Sequence, residues 1–282
     1  MLTQIKRQTI QANGAHLYSE VRGSGPSVLF IPGATGDAGH FERVAELLSD
    51  EFTTIIYDRR GNSRSPRPAG WQTTSADEQA DDAAALLRAL DLAPAAIYGT
   101  SSGAVIGLNL LVRYPTLVRG AILHEPGLMS VLPDPQALIA QVMPIIEEAM
   151  ARGGPAAAME AFVRTVGGDA AYERMPADLR ERIVNNGENM QIEAPLNEYR
   201  PSQAELASIR CPVEILVGTQ SPPPLVEMSR WLAAALNAPV RTLPVGHAPQ
   251  LEQPEALARE LRAWLAHLDH PQDAHARSAV TA

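Results

Sequence analysis

Tyr98-Gly99-Thr100-Ser101-Ser102-Gly103-Ala104 is the stretch that decides the fold of this chain. A short apolar run, Ala95-Ala96-Ile97-Tyr98, breaks into a glycine-flanked serine and then into the helix-like segment Ala104–Val112. G-x-S-x-G between strand and helix reads as a nucleophile elbow. A serine at so sharp a turn has strained backbone, so the residues two before and two after it must lack side chains for strand and helix to approach. Gly99 and Gly103 meet that need, and the turn aims the unpaired N–H groups of a helix N-terminus at any oxyanion formed on Ser101. A tight turn in a nucleotide-type loop, or a plain strand–helix junction, would carry the same five residues, so the flanks must decide.

Upstream, residues 7 to 23 alternate polar and apolar around Asn13-Gly14, which predicts an antiparallel hairpin at a sheet edge. Ser27–Ile31 reads as a buried strand ending in the small-residue loop Pro32-Gly33-Ala34-Thr35-Gly36-Asp37, and Phe41–Leu48 has helical spacing. A strand over Phe52–Tyr57 runs into Asp58-Arg59-Arg60-Gly61-Asn62-Ser63-Arg64-Ser65. A helix over Ser75–Leu90 follows, capped by Thr74 or Ser75, with Asp77, Glu78, Asp81 and Asp82 in its first turns. Downstream of the elbow, Gly120–His124 is a strand ending at Glu125-Pro126-Gly127. Val213–Val217, Leu225–Leu236, Val240–Pro244 and Pro254–Leu268 then resume the alternation of strand and helix. The expected architecture is α/β, a mostly parallel eight-stranded sheet with helices on both faces.

Between Leu128 and about Leu206 no strand-forming run appears. Helical segments at Pro135–Ala151, Pro155–Val166 and Pro176–Asn186 predict an inserted helical cap, so the expected division is a core of 1–127 and 207–268, a cap of 128–206, and a disordered tail of 269–282. Six of the eight methionines, Met129, Met143, Met150, Met159, Met175 and Met190, fall in the cap, as core filling or pocket lining.

The chain has 282 residues, 45% of them hydrophobic, which is enough for a sizeable core. A net charge of −9 and the absence of a Lys/Arg cluster set nucleic acid aside. The single Cys211 excludes an internal disulfide and, at the start of an apolar strand, is expected to be a buried thiol. The first residues lack a signal-like apolar run and no stretch reaches membrane-spanning length, so a cytoplasmic protein is expected, with no membrane partner. A homo-oligomer is left open.

A serine hydroxyl needs a base. His247, in Pro244-Val245-Gly246-His247-Ala248-Pro249 after the last strand, should emerge at the same sheet edge as Ser101; otherwise it is an ordinary loop histidine. The order of elements, the Pro32-Gly33 loop, Asp58-x-Arg60-Gly61-x-Ser63-x-Ser65, the elbow and Gly246-His247 together resemble the α/β-hydrolase fold over residues 7 to 268. The resemblance implies an oxyanion hole from the backbone N–H groups of Ala34 and Ser102. It also implies an acid past the seventh strand, but that turn reads Gly218-Thr219-Gln220-Ser221-Pro222-Pro223-Pro224, with Ser221 where the carboxylate is usual. The nearest acid in the required order is Glu125, which can orient His247 from the end of the sixth strand. The alternatives are that Glu125 is a surface carboxylate and that a water-bridged Ser221 orients His247.

Gly99-Thr100-Ser101-Ser102-Gly103-Ala104, the His124-Glu125 pair and the acid-free turn are similar to the zearalenone lactonases, which open a macrocyclic resorcylic lactone. The similarity lies in the core and little of it in the cap. It implies a serine hydrolase without metal or cofactor that cleaves a small apolar ester or lactone through an acyl-enzyme. Acyl transfer, perhydrolysis, cofactor-free lyase chemistry or a non-catalytic binding protein are the rival readings. Asp58 and Arg60 are expected to hold their loop together, His124 to point away from Glu125 by strand alternation, and His40 either to face the pocket or to begin a helix.

Overall fold

The computed structural model describes residues 4–269. Eight strands, β1 (Ile5–Ala12), β2 (Ala15–Arg22), β3 (Ser27–Ile31), β4 (Thr53–Tyr57), β5 (Ala95–Thr100), β6 (Val118–His124), β7 (Val213–Gly218) and β8 (Val240–Leu243), form one sheet in the order β1-β2-β4-β3-β5-β6-β7-β8. β1 pairs with β2 and β2 with β4 antiparallel, and every other pairing is parallel. The β1–β2 turn is the two residues Asn13 and Gly14, both with positive φ, as a tight hairpin demands.

The alternation of side chains assigns each strand's residues to one of two cores. Leu29, Ile31, Ile55, Tyr57, Ile97, Leu123 and Ile215 pack on one face, under α2 (Ala76–Leu90), α3 (Ser102–Arg113) and α9 (Pro223–Leu236). Val28, Phe30, Ile56, Tyr98, Ile122 and Leu216 pack on the other, under α1 (Glu42–Leu48) and α11 (Pro254–Asp269). Both faces being covered, β3, β4 and β5 are buried along their whole length. Phe30, Phe41 and Tyr98 form an aromatic triangle beneath the elbow, with centroids 5.3–5.8 Å apart, each contact worth about 0.5–1.5 kcal/mol beyond its area.

Between β6 and β7 the chain has no strand. It holds α4 (Pro135–Gly167), α5 (Asp169–Arg174), α6 (Ala177–Asn185), α7 (Met190–Glu193) and α8 (Gln203–Ser208). The two helices predicted over 135–166 are one element bent at Gly153-Gly154, whose dihedrals leave the helical region just before Pro155. Helices α5, α7 and α8, of four to six residues, are too short for periodicity to reveal. The insertion has a small core of its own around Met159, Val163, Tyr172, Met175, Leu179 and Ile183. Met143 and Met150 lie exposed on the part of α4 before the bend, so they are neither core nor pocket lining as expected.

Ser75, not Thr74, caps α2, its hydroxyl accepting from the N–H of Glu78 at 3.1 Å. Before β7, Cys211 is half-buried rather than buried, and desolvation raises its pKa, which keeps it a thiol. No described helix is long and apolar enough to cross a membrane. Of the tail predicted over 269–282, Asp269 instead ends α11, and residues 270–282, with His270 and His275, lie outside the described residues.

Candidate active site

Ser101 sits between β5 and α3 with φ 56° and ψ −125°, a conformation that costs a non-glycine residue about 1–3 kcal/mol. The glycines that flank it answer to contacts. A Cβ on Gly99 would run into the carbonyl of Gly103, and one on Gly103 into the carbonyls of Ile31 and Pro32. The N–H of Ser101 is held by the carbonyl of His124 at 2.9 Å, and its carbonyl accepts from Gly127 at 3.2 Å, so the elbow is pinned to the end of β6.

Glu125 follows β6 directly, also with positive φ (43°). This kink turns its fully buried carboxylate across the sheet edge, where Oε2 lies 2.5 Å from Nδ1 of His247 and Oε1 accepts from the N–H of Gly218 at 2.7 Å. The last residue of β7 thus supplies a backbone donor to the carboxylate that reaches across from β6. Burial alone would raise the carboxyl pKa of Glu125. The hydrogen bond from His247, the charge interactions with His124 and His247 and the Ser221 hydroxyl outweigh it and leave it below the ordinary range.

His247 is held in the loop between β8 and α10 (Pro249–Glu252). Glu252 accepts from the N–H groups of its two neighbours, Gly246 at 3.0 Å and Ala248 at 3.2 Å, so the backbone on either side of the ring is fixed. With Nδ1 on Glu125, Nε2 is the nitrogen left for the cleft.

Ser101 and His247 line one cleft together with Gly33, Ala34 and Thr100. Ala34 lies in the loop after β3, and Ser102 is the first residue of α3, whose N–H has no intrahelical acceptor. The structure thus gathers Ser101, His247, Glu125, Ala34 and Ser102 at one end of the sheet. Phe162, Val163, Val166, Ala171 and Met175 from the insertion and Leu251 from α10 form the apolar wall, and among the described residues no Asp, Glu, Lys or Arg lines the cleft.

His124 departs from expectation. Strand alternation turns it away from Glu125, yet its Nε2 is 3.8 Å from Glu125 Oε1 and its ring stacks on that of His247 at 5.7 Å. Alternation fails because the positive φ at Glu125 ends the strand there. His124 is fully buried, with Nδ1 2.9 Å from the Thr100 hydroxyl, and burial pushes its pKa to about 4. His40 lies in a 3-10 turn, Ala38–Phe41, ahead of α1 and also lines the cleft, so both readings of it hold. Burial takes its pKa to about 4 as well, and Nδ1 pairs with the Thr35 hydroxyl at 3.0 Å.

Asp58 and Arg60 stay out of the cleft. Asp58 accepts from Ala38 N–H at 2.8 Å and from Arg64, and Arg60 binds Asp82 and Glu78, which ties the loop after β4 to α2.

Composition and spacing gave no hint of Arg59, which is fully buried and donates from Nη2 to the carbonyl of Gly33 at 2.8 Å and to Glu193 at 2.6 Å. Its partner is 134 positions away, in α7.

His124, Glu125 and His247 also have ligand atoms within 4.8 Å of one another, a metal-like grouping. The 2.5 Å separation of Glu125 and His247 is a hydrogen-bond distance, shorter than the roughly 3.3 Å between neighbouring ligand atoms of a tetrahedral zinc site with bonds of about 2 Å.

The chain belongs to the alpha/beta hydrolase family, whose sequence pattern matches residues 28–260. Over 128 residues it is 43% identical to the uncharacterized hydrolase YraK of Bacillus subtilis, covering 45% of this chain and 47% of that protein, about half the length of that relative. Over 266 residues it is 24% identical to the zearalenone hydrolase of Cladophialophora bantiana, covering 91% of this chain and 95% of that protein. Among solved structures, a thermophilic esterase from Thermogutta terrifontis is similar at TM-score 0.75 and 25% identity, covering 93% of this chain and 99% of that one.

Proposed function

We propose that the protein is a serine hydrolase of uncharged, apolar carboxylic esters or lactones, acting through an acyl-enzyme. The observation that carries this is the short hydrogen bond between Glu125 and His247 beside a serine held in an elbow. An ionised Glu125 fixes the proton of His247 on Nδ1, which leaves Nε2 basic toward the cleft. His247 takes the proton of Ser101 as the hydroxyl oxygen attacks the acyl carbon. The N–H groups of Ala34 and Ser102 stabilise the oxyanion. His247 then gives its proton to the leaving alkoxide, and water, activated by the same nitrogen, releases the acid.

The insertion acts as the cap of this site and sets substrate choice. An apolar wall without a fixed charge among the described residues, and a neutral, buried His40 beside it, favour a medium-sized neutral acyl group over one bearing a carboxylate. A macrocyclic lactone such as zearalenone fits this chemistry and is named by one relative. The test is a panel of p-nitrophenyl esters and apolar lactones, zearalenone included, with Ser101→Ala alongside. Turnover that vanishes in the variant supports the reading. Absence of turnover on every neutral ester and lactone, or turnover confined to carboxylate-bearing esters, contradicts it.

A further inference from the structure

Arg59 has no place in the chemistry just described, yet it grips both ends of the loop that carries Ala34. Its side chain donates to the carbonyl of Gly33, and its backbone N–H donates to the carbonyl of Gly36 at 2.8 Å. The loop closes on itself through Gly36 N–H to Gly33 carbonyl at 2.9 Å, so the Gly33 oxygen is held by two donors. In a planar trans peptide the C=O of one residue and the N–H of the next point in opposite directions. Fixing the Gly33 carbonyl on Arg59 therefore fixes the Ala34 N–H on the other side of that peptide. Gly33 borders Ser101 closely, since a Cβ placed on it would lie 3.1 Å from Cβ of Ser101.

Arg59 is itself aimed by Glu193. That carboxylate takes Nη2 of Arg59 with one oxygen and Nδ2 of Asn62 with the other, at 2.8 Å. Asn189, one turn earlier, bonds to Asn62 and to the carbonyl of Gly61 at 2.6 Å, and Asn186 holds the carbonyl of Thr35 at 2.7 Å. All three of these acceptor or donor side chains come from the insertion. A buried ion pair is a poor source of stability compared with apolar side chains of the same volume, because desolvation offsets the attraction. Arg59 carries the further cost that Nε and Nη1 have no protein acceptor among the described residues. Its value lies in where it puts the Gly33 peptide.

We propose that Arg59 and Glu193 are positioning residues that set the Ala34 half of the oxyanion hole, so that the hole is complete only while the inserted helices are docked. This rests on the serine-hydrolase reading above. Loss of the pair costs turnover and not substrate binding, because an oxyanion donor acts on the charge that develops at the acyl oxygen.

The test uses the full chain with Arg59→Met, Arg59→Lys and Glu193→Gln, Ser101→Ala as control, and melting temperature recorded for each. kcat per active site, counted by phosphonate titration, is compared with KM on the ester turned over best. A trifluoromethyl ketone, whose hemiketal oxygen occupies the hole, gives a second readout. Arg59→Met should lower kcat roughly 10- to 100-fold, part of the 10²–10³ lost with a whole donor, with KM within about twofold. The ketone should weaken in parallel. Both original contacts come from one nitrogen, so the lysine ammonium should restore part of the loss, and Glu193→Gln should fall between wild type and Arg59→Met. If Arg59→Met does not fold, the other two variants carry the same comparison. Unchanged kcat per site and ketone affinity in the folded variants, with Ser101→Ala inactive, would overturn the positioning role alone. An active Ser101→Ala would instead overturn the serine-hydrolase reading on which it rests.

Discussion

Oε2 of Glu125 lies 2.5 Å from Nδ1 of His247, although the two residues are 122 positions apart and Glu125 reaches across from the end of β6. Glu125→Gln keeps the volume and removes the charge that fixes the imidazole tautomer and stabilises the imidazolium. By analogy with acid-to-amide changes in other triads, kcat should fall about 10²–10⁴-fold with little change in KM. Steady-state kinetics on a neutral p-nitrophenyl ester check this; near wild-type turnover would remove Glu125 from the mechanism.

Gly103 sits where a Cβ would meet two backbone carbonyls, which cannot swing aside as a side chain tip can. Gly103→Ala should therefore destabilise the fold by about 1–3 kcal/mol through forced backbone shifts, and lower activity with it. A urea midpoint equal to wild type would mean that the elbow is looser than its contacts imply.

Stability should depend on pH through His40 and His124. Both have folded pKa values near 4 against an ordinary 6.5, so the unfolded chain takes up these protons first as pH falls. Their neutral burial costs nothing above about pH 6.5, and stability is lost between there and pH 4, by at most on the order of 3 kcal/mol apiece. The facing charges are Asp37 and Arg182 for His40, and Glu125 and His247 for His124. The lowered carboxyl of Glu125 adds a loss of the same sign at lower pH. Urea unfolding at pH 8, 6 and 4.5 should give falling midpoints; a flat profile would contradict the burial of the two rings.

The apolar wall should matter in proportion to acyl length. Phe162→Ala should raise KM for an octanoyl ester roughly 3- to 10-fold, as expected for about 1 kcal/mol of lost apolar contact, and leave the acetyl ester nearly unchanged. Equal effects on both would place Phe162 outside the acyl path.

The elbow was legible because its constraint is local: two glycines at fixed spacing, a strand before and a helix after. The inner strands were legible because both of their faces are buried, which leaves a dense apolar run such as Val28–Ile31, and the edge hairpin because its half-exposed strands alternate. That His247 and Glu125 come to the same sheet edge as Ser101 could be expected from their places after strands and from the residue order that the α/β-hydrolase resemblance requires. The orientation of His124 could not, because alternation holds only while the backbone stays extended, and Glu125 breaks it. Arg59 with Glu193, and Asn186 and Asn189 with the loops they bind, were illegible for another reason. Their contacts join positions more than 120 residues apart, and within the insertion they come from α7 and the 3-10 turn before it, each of four residues and too short to show a period.

The most direct test of the central claim is the mass of the protein quenched in acid during turnover of its best ester. The account predicts a species heavier by one acyl group, located on the peptide containing Ser101, formed together with a burst of alcohol equal to the active sites where deacylation is slow, and absent from Ser101→Ala. Turnover of that ester by Ser101→Ala at the wild-type rate, or an acyl group found on another residue, would contradict it.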